Sequence, residues 1–580
     1  MAPYAVFAAL ALVSWNRWIE PYIDTGRELM VPWRLAHGER LYRDVHFHHG
    51  PLGPYLAALT DGLAGASLPA RTALHGVFAL LHVAALGMLS RRMLTPWRAA
   101  LATSIAIACA VFLRPGGWLF PFSFDTAIAV AALTWALVLA SRESGAAADA
   151  VGGACILAAL LARPELGLAG VAALGLAARG APRRLVPLGV APLAAAASGY
   201  FLLSAGIPRE RLVADGWLRV IAPPAAFQNV YRAYAGLDRP GLRLAELALA
   251  ATVLALVAAL IVTASFAAAR LPGSGSRAIS LLATAVLAGA AAARLRPPEA
   301  LAEQLALIPP LVRVIAPLVI AAAAVRLVLA LLGRVPRGAL AAVSDAVLWM
   351  AAVFAARLLL AAGYVGPYDA FFLPLPVVVA VAALFGLADR LAPVLGAELP
   401  RLTAAALGVF LAYRVAWTWG VYRGGAWDEV ATPAGVLRLP GSIAGPTRDA
   451  IGWLERLPPE STLAGVPEAG FFNYTLGLRN PFWLEQFFPG HLDRVGEARA
   501  IALLDARPPD VLLRANVLAV GEGTRALGKD YLAAFDAALR ARYRVAARFP
   551  AGARADARIG DPEFFVELSK RDPSGPGAAR

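Results

Sequence analysis

Two cysteines in 580 residues leave no disulfide framework to read, and both Cys109 and Cys155 fall in apolar segments without metal-ligand spacing. There is no Walker phosphate loop, so ATP hydrolysis has no support, and neither GxSxG nor HExxH occurs. No internal repeat is visible. Charge is also scarce: 16% of residues are charged against 59% hydrophobic, with a mean hydropathy of +0.63. A soluble chain of this length has no need of so much apolar sequence. The long apolar runs point to a polytopic α-helical membrane protein, because a lipid-exposed helix satisfies its own backbone polar groups. The net charge of +14 is explained by arginines at cytoplasmic loops and headgroups, so nucleic acid is not an expected partner.

Apolar segments of spanning or near-spanning length run over 2–18, 72–90, 98–114, 122–141, 185–204, 243–269, 277–293, 307–331, 338–361, 370–388 and 402–420. Residues 151–179 are too long for one untilted helix and are interrupted at Arg163-Pro164-Glu165. They read as two short helices, or as one kinked helix. With two, the count is about thirteen spans. Arg91-Arg92, Arg142, Arg183-Arg184, Arg270 with Arg277, Arg334 with Arg337, and Arg390 with Arg401 then share one side, the cytoplasm by the positive-inside bias. The N-terminus lacks a basic region and a small-residue cleavage site, so its apolar run reads as a retained first span beginning in the cytoplasm. The first loop, the Arg163 turn, the 205–242 loop and the C-terminus are expected on the outer face.

Residues 1–420 form the expected transmembrane unit. Residues 421–570 mix Pro, Gly and charge, with short runs at 461–466, 511–513, 543–549 and 564–568 that predict strands. Helical patterns lie at 492–506 and 530–541, which together predict a C-terminal extracytoplasmic α/β domain. The tail 571–580 is Pro/Gly/Ala-rich and reads as disordered.

The chemistry concentrates in the first loop, 15–71, above all in residues 15–55. Asp24 and Glu28 are four apart and share a face if a short interfacial helix starts near Asp24. A carboxylate there serves either as a general base or as a helix cap beside a Glu–Arg surface pair. Arg43, His46, His48 and His49 form a second cluster, fit to hold a phosphate, to bind a metal, or simply to suit the headgroup region. The spacing offers no carboxylate or cysteine partner for a metal, so no metal site is assigned. Arg163 and Glu165 flank a break between membrane helices. Charges so placed face water or a partner, which allows a functional role or a structural pairing with the first loop.

Asp24-x-Gly26, Leu35-Ala36-x-Gly38, Leu41-Tyr42-Arg43-Asp44 and His49-Gly50-Pro51-Leu52, with the later Arg163-Pro164-Glu165-Leu166-Gly167, resemble the motifs of GT-C superfamily membrane glycosyltransferases. The likeness is greatest to bacterial relatives of dolichyl-phosphate-mannose protein mannosyltransferases and of aminoarabinose lipid A transferases. The resemblance implies an inverting transfer of sugar from a polyprenyl-phosphate-sugar donor to a glycan, lipid or protein acceptor at the outer face of a bacterial inner membrane, among membrane lipids. It implies Asp24 as the base, with Glu28 beside it, and Arg43, the histidines or Arg163 at the leaving phosphate. Many members carry two adjacent acids, whereas here Thr25 follows Asp24. A polytopic transporter or flippase is the competing reading. Transporters tend to show repeated halves and mid-membrane polar residues.

Overall fold

The computed structural model describes residues 1–18, 21–112, 117–140, 145–178, 182–209, 211–212, scattered positions between 240 and 263, and then 310–332, 345–359, 369–488, 496–517, 526–550 and 564–573. The expected span 277–293 and most of the 205–242 loop lie outside these residues, as does the tail from 574.

The first half is a helical bundle: α1 (Ala2–Ser14), α2 (Thr25–Ala36), α3 (Leu52–Ala64), α4 (Leu68–Met93), α5 (Pro96–Ala106), α6 (Phe124–Ala140), α7 (Ala146–Ala162), α8 (Pro164–Ala178) and α9 (Ala191–Ser204). After the break follow α10 (Pro310–Leu331), α11 (Asp345–Leu359), α12 (Pro374–Leu395) and α13 (Leu399–Gly424). Among the described residues, four helices are long and apolar enough to cross a membrane: Leu68–Met93, Val186–Ser204, Pro374–Leu395 and Leu399–Gly424. Shorter apolar helices, among them α1, α6 and α7, pack beside them. Leu12, Phe201, Leu202 and Val394 stand exposed on the outside of the bundle, a surface suited to lipid.

Arg163 separates α7 from α8 in an extended conformation, and Pro164 opens α8, where a missing N–H costs nothing. The two helices pack against each other, so 151–179 is a helix pair and not one kinked helix. α4 rises about 39 Å over its 26 residues. Its first residue, Leu68, donates its N–H to Ala434 O of the α/β tail, and its last turn carries Arg91 and Arg92. α13 runs the opposite way, from Arg401 to the start of the tail. These arginines thus lie at the end of the bundle away from the tail.

The tail begins with a hairpin, β1 (Trp427–Thr432) and β2 (Gly435–Pro440), and α14 (Gly441–Leu454), elements that the residue patterns did not predict. β3 (Leu463–Val466), α15 (Gly470–Leu476), α16 (Glu497–Ala506), β4 (Val511–Ala515), α17 (Ala533–Arg542), β5 (Tyr543–Phe549) and β6 (Val566–Arg571) follow. The strands form a mixed sheet in the order β3-β4-β6-β5, parallel between β3 and β4 and antiparallel elsewhere. The four expected strand runs each overlap one of these strands, and the aromatic-rich residues 470–488 hold α15 and the loop after it.

One apolar core continues from the bundle into the tail. Trp18 and Tyr22 of the first loop are each 1% exposed and sit against Phe471 and Phe472. Burial of two such aromatic side chains is worth about 1.5–3 kcal/mol each. The backbone joins as well: Trp18 N–H donates to Arg438 O, Arg438 N–H to Asn16 O, and His46 N–H to Trp483 O. The closest approach is at Gly26 in α2 and Gly470 in α15. A Cβ on Gly26 would stand 2.9 Å from Gly470 N and from Phe471 N, and one on Gly470 would stand 2.7 Å from Gly26 O. Backbone on both sides cannot give way as a side-chain tip can. Gly26→Ala is therefore expected to cost about 1–3 kcal/mol of overpacking, read as a lower unfolding midpoint of the detergent-solubilised protein. An unchanged midpoint would mean the two helices do not meet here.

Candidate active site

α2 starts at Asp24, the position where Asp, Asn, Ser and Thr commonly cap a helix. A capping carboxylate there would take the N–H of Gly26 or Arg27. Asp24 does neither: its side chain makes no cap hydrogen bond. Its backbone has φ 60°, in the left-handed region that costs a non-glycine residue about 1–3 kcal/mol. The cap comes from the tail. Glu468 Oε2 accepts the Asp24 N–H at 2.8 Å and Oε1 accepts the Arg27 N–H at 2.9 Å.

The freed Asp24 carboxylate is held by two groups. Gln486 Nε2 donates to Asp24 Oδ1 at 2.8 Å and to Glu468 Oε2 at 2.7 Å. Arg27 Nη2 stands 3.3 Å from Asp24 Oδ1 and 3.3 Å from Glu28 Oε1. Arg27 Nη1 donates to Gln486 Oε1 at 2.7 Å, so the cation faces the amide oxygen and both carboxylates face the amide nitrogen. The Arg27 guanidinium also lies 5.9 Å from the Phe47 ring centre.

Glu28 reaches the other way. Its Oε2 accepts the N–H of Phe124 at 3.3 Å, at the start of α6, where helix polarity favours a negative charge. Asp125, next in α6, accepts the Gly53 N–H at 2.9 Å through Oδ1, while its Oδ2 has no hydrogen-bond partner among the described residues. Asp125 is fully buried and interacts electrostatically with Glu28, Arg27 and Arg163. A pocket lined by Glu28, Phe47, Gly53, Arg71, His75 and Phe124 lies alongside.

Arg163 closes the series. Its Nη1 lies 2.8 Å from Nδ1 and 2.9 Å from Nε2 of His49, and its Nε pairs with Glu165 Oε1 at 2.7 Å. The His49-Gly50 loop is pressed on the end of α7: Gly50 N–H donates to Ala162 O, and a Cβ on Gly50 would stand 2.1 Å from Leu161 O. His48 lies beside His49, with ring centres 4.0 Å apart and planes tilted by 57°, and His46 packs edge-on to Trp483. Arg43 is placed apart. It forms a bidentate pair with Asp44 (2.9 and 2.7 Å), and its carbonyl accepts from Arg211, whose guanidinium lies over Trp483.

The structure thus links Asp24, Glu28, Asp125, Arg163 and His49 into one run of contacts and charges, with Glu165 at its rim and Arg43 outside it. Among the described residues no three His, Cys, Asp or Glu side chains stand together as a metal site. Sequence reasoning missed Glu468, Gln486 and Asp125. The available signals were a lone acid opening an apolar span, in the case of Asp125, and polar residues inside an aromatic run, in the case of Gln486.

Access separates the acids. The Asp24 side chain is 29% exposed and that of Glu28 5%, while Glu468 is fully buried. Burial pushes the Glu28 carboxyl above its usual range. Burial, and next the Asp24 charge, pushes Glu468 well above it, and burial raises Glu485, whose partner is Arg34 (2.5 Å).

No protein-family model matches the chain, and no curated protein matches it. Among solved structures it is similar to ArnT from Cupriavidus metallidurans in the apo state, with 16% identity, a TM-score of 0.43 and 97% of each chain covered. The undecaprenyl phosphate-bound form of ArnT gives 15% identity and a TM-score of 0.41, again over 97% of each chain. The archaeal oligosaccharyltransferase AglB from Archaeoglobus fulgidus, in complex with an inhibitory peptide and a dolichol-phosphate, gives 14% identity and a TM-score of 0.45, over 89% of this chain and 69% of that one. ArnT and AglB are both members of the GT-C superfamily.

The three raised carboxyls give a pH dependence with a definite sign. Each binds its proton more tightly folded than unfolded, so stability falls as pH rises through the raised values. Measured against a Glu468→Gln variant, the unfolding midpoint of the solubilised parent is expected to climb as pH falls from about 8 toward the ordinary Glu range of about 4.3. A difference that is flat or falls over that window contradicts the burial of this carboxyl.

Proposed function

We propose that this chain is an inverting glycosyltransferase that moves a sugar from a polyprenyl-phosphate donor to an acceptor at the outer face of a bacterial inner membrane, with Asp24 as general base. The observation that carries the reading is the release of Asp24 from capping. A carboxylate at a helix start is ordinarily consumed by the helix. Here Glu468 takes both amides, and Asp24 is aimed by Gln486 and more open than Glu28 or Glu468.

In this reading the acceptor hydroxyl or amine gives its proton to Asp24 and attacks the anomeric carbon. The bond from that carbon to the lipid phosphate oxygen breaks on the opposite side, so the configuration inverts. The phosphate departs with the bonding electrons. Arg163, backed by His49 and Glu165, is the cation poised for that developing charge. Arg27 bridges Asp24 and Glu28 and keeps the two acids apart in role. The buried Glu28 lines the pocket beside Phe47. The motif resemblance in the first loop points to the same chemistry, and the lipid-suited bundle surface provides access for a polyprenyl chain.

Asp24→Asn keeps the shape and removes the base. Transfer from undecaprenyl-phosphate carrying a radiolabelled sugar is expected to fall by about 10²–10⁴-fold, measured as release of undecaprenyl phosphate by protein whose elution profile is unchanged. Full transfer by the Asn variant sinks the proposal.

A further inference from the structure

We propose that Glu468 and Gln486 of the α/β tail are positioning residues for Asp24: the tail supplies the helix cap that Asp24 would otherwise provide, and the amide that aims the carboxylate so released. The inference rests on Asp24 as general base.

Three observations carry it. The first is substitution of function at the start of α2. Arg27 N–H is the amide that an Asp at the cap position takes in an ordinary helix. Glu468 Oε1 holds it instead, and Oε2 holds the Asp24 N–H, so one carboxyl group reaching from 441 and 444 positions away accepts both amides. The second is backbone conformation. At φ 60° Asp24 occupies a region that an Asp adopts only under constraint, and Glu468 supplies that constraint through the Asp24 N–H. The third is Gln486, 2% exposed, which spans Asp24, Glu468 and Arg27 with one amide. Only one orientation of that amide satisfies all three partners, so it fixes the line on which Asp24 Oδ1 lies.

The Gly26–Gly470 contact explains how the reach is possible. Glu468 lies two residues before Gly470, and the bare backbone there lets the start of α15 sit on the first turn of α2. Docking of the tail and aiming of the base are therefore one event. If the tail withdrew, Asp24 would be free to turn back onto Arg27 N–H and become the cap.

The test uses the full chain in detergent, with Gln486→Leu and Glu468→Ala. In Gln486→Leu the size is kept and the aim is lost. With the radiolabelled undecaprenyl-phosphate sugar that the parent protein consumes, kcat is expected to fall about tenfold or more, with the donor KM within about twofold. Unchanged kcat in this variant, beside an inactive Asp24→Asn, overturns the positioning role and leaves the base intact. An active Asp24→Asn overturns the base reading itself. Hydrogen exchange gives a readout that needs no donor. In Glu468→Ala the Asp24 amide should exchange about tenfold faster or more, while the Arg27 amide stays protected because Asp24 takes over the cap. That protection should vanish in Glu468→Ala with Asp24→Ala. Loss of Arg27 protection in Glu468→Ala alone shows that Asp24 does not fall back onto the helix, and contradicts the proposal.

Discussion

The carboxylate of Glu468 on the first turn of α2 is the contact on which the rest of the site depends. It meets the amides that the helix leaves unpaired, and it does so from another part of the chain. Everything near it follows from that reach. Gly26 and Gly470 lack side chains where the backbones cross, Gln486 bridges the two acids, and the Asp24 side chain stays partly exposed. Three donors converge on the two oxygens of Glu468, so the junction is held by a few short contacts as well as by area.

Burial gives the charges of the first loop their distinct roles. Arg34 is 4% exposed and donates to Glu39, Glu485, Phe482 O and Asp44 O, which locks the end of α2 to the tail. Arg71 does the same for α3 and α4 through Asp61, with Tyr474 of the tail on the same carboxylate. Removing one partner of such a buried pair costs about 3–5 kcal/mol, because the other charge is left stranded. These clamps specify one docking geometry. Within it, Glu28 is inside and raised, Glu468 is inside and committed to backbone, and Asp24 alone of the three has substantial access to the surface.

Much of this was legible in residues close in sequence. The polar first loop, the helix from Asp24, the break at Arg163-Pro164 and the four strand runs of the tail rest on local signals: a cap residue, a proline, an alternation of apolar side chains. What stayed hidden is non-local. Asp24 as a cap was the simpler expectation, since nothing nearby announces a competitor 444 residues on. Gln486 sits in an aromatic run that reads as core, which it also is: Phe482, Phe487 and Phe488 are buried around it. The sequence pattern grouped Arg43 with the histidines, whereas its neighbour Asp44 holds it at the edge. Asp125 opens an apolar helix, and its role depends on Gly53 and Glu28, both contributed by the first loop.

The most direct measurement is a cryo-EM structure of the Asp24→Asn protein with an undecaprenyl-phosphate sugar bound. The prediction is a lipid phosphate beside Arg163, with the anomeric carbon between it and residue 24. The side chain of residue 24 should then stand within about 3–3.5 Å of the position an attacking oxygen would take. A phosphate seated at the Arg91–Arg92 end of the bundle, or residue 24 turned onto the Arg27 amide with Glu468 withdrawn, would contradict it.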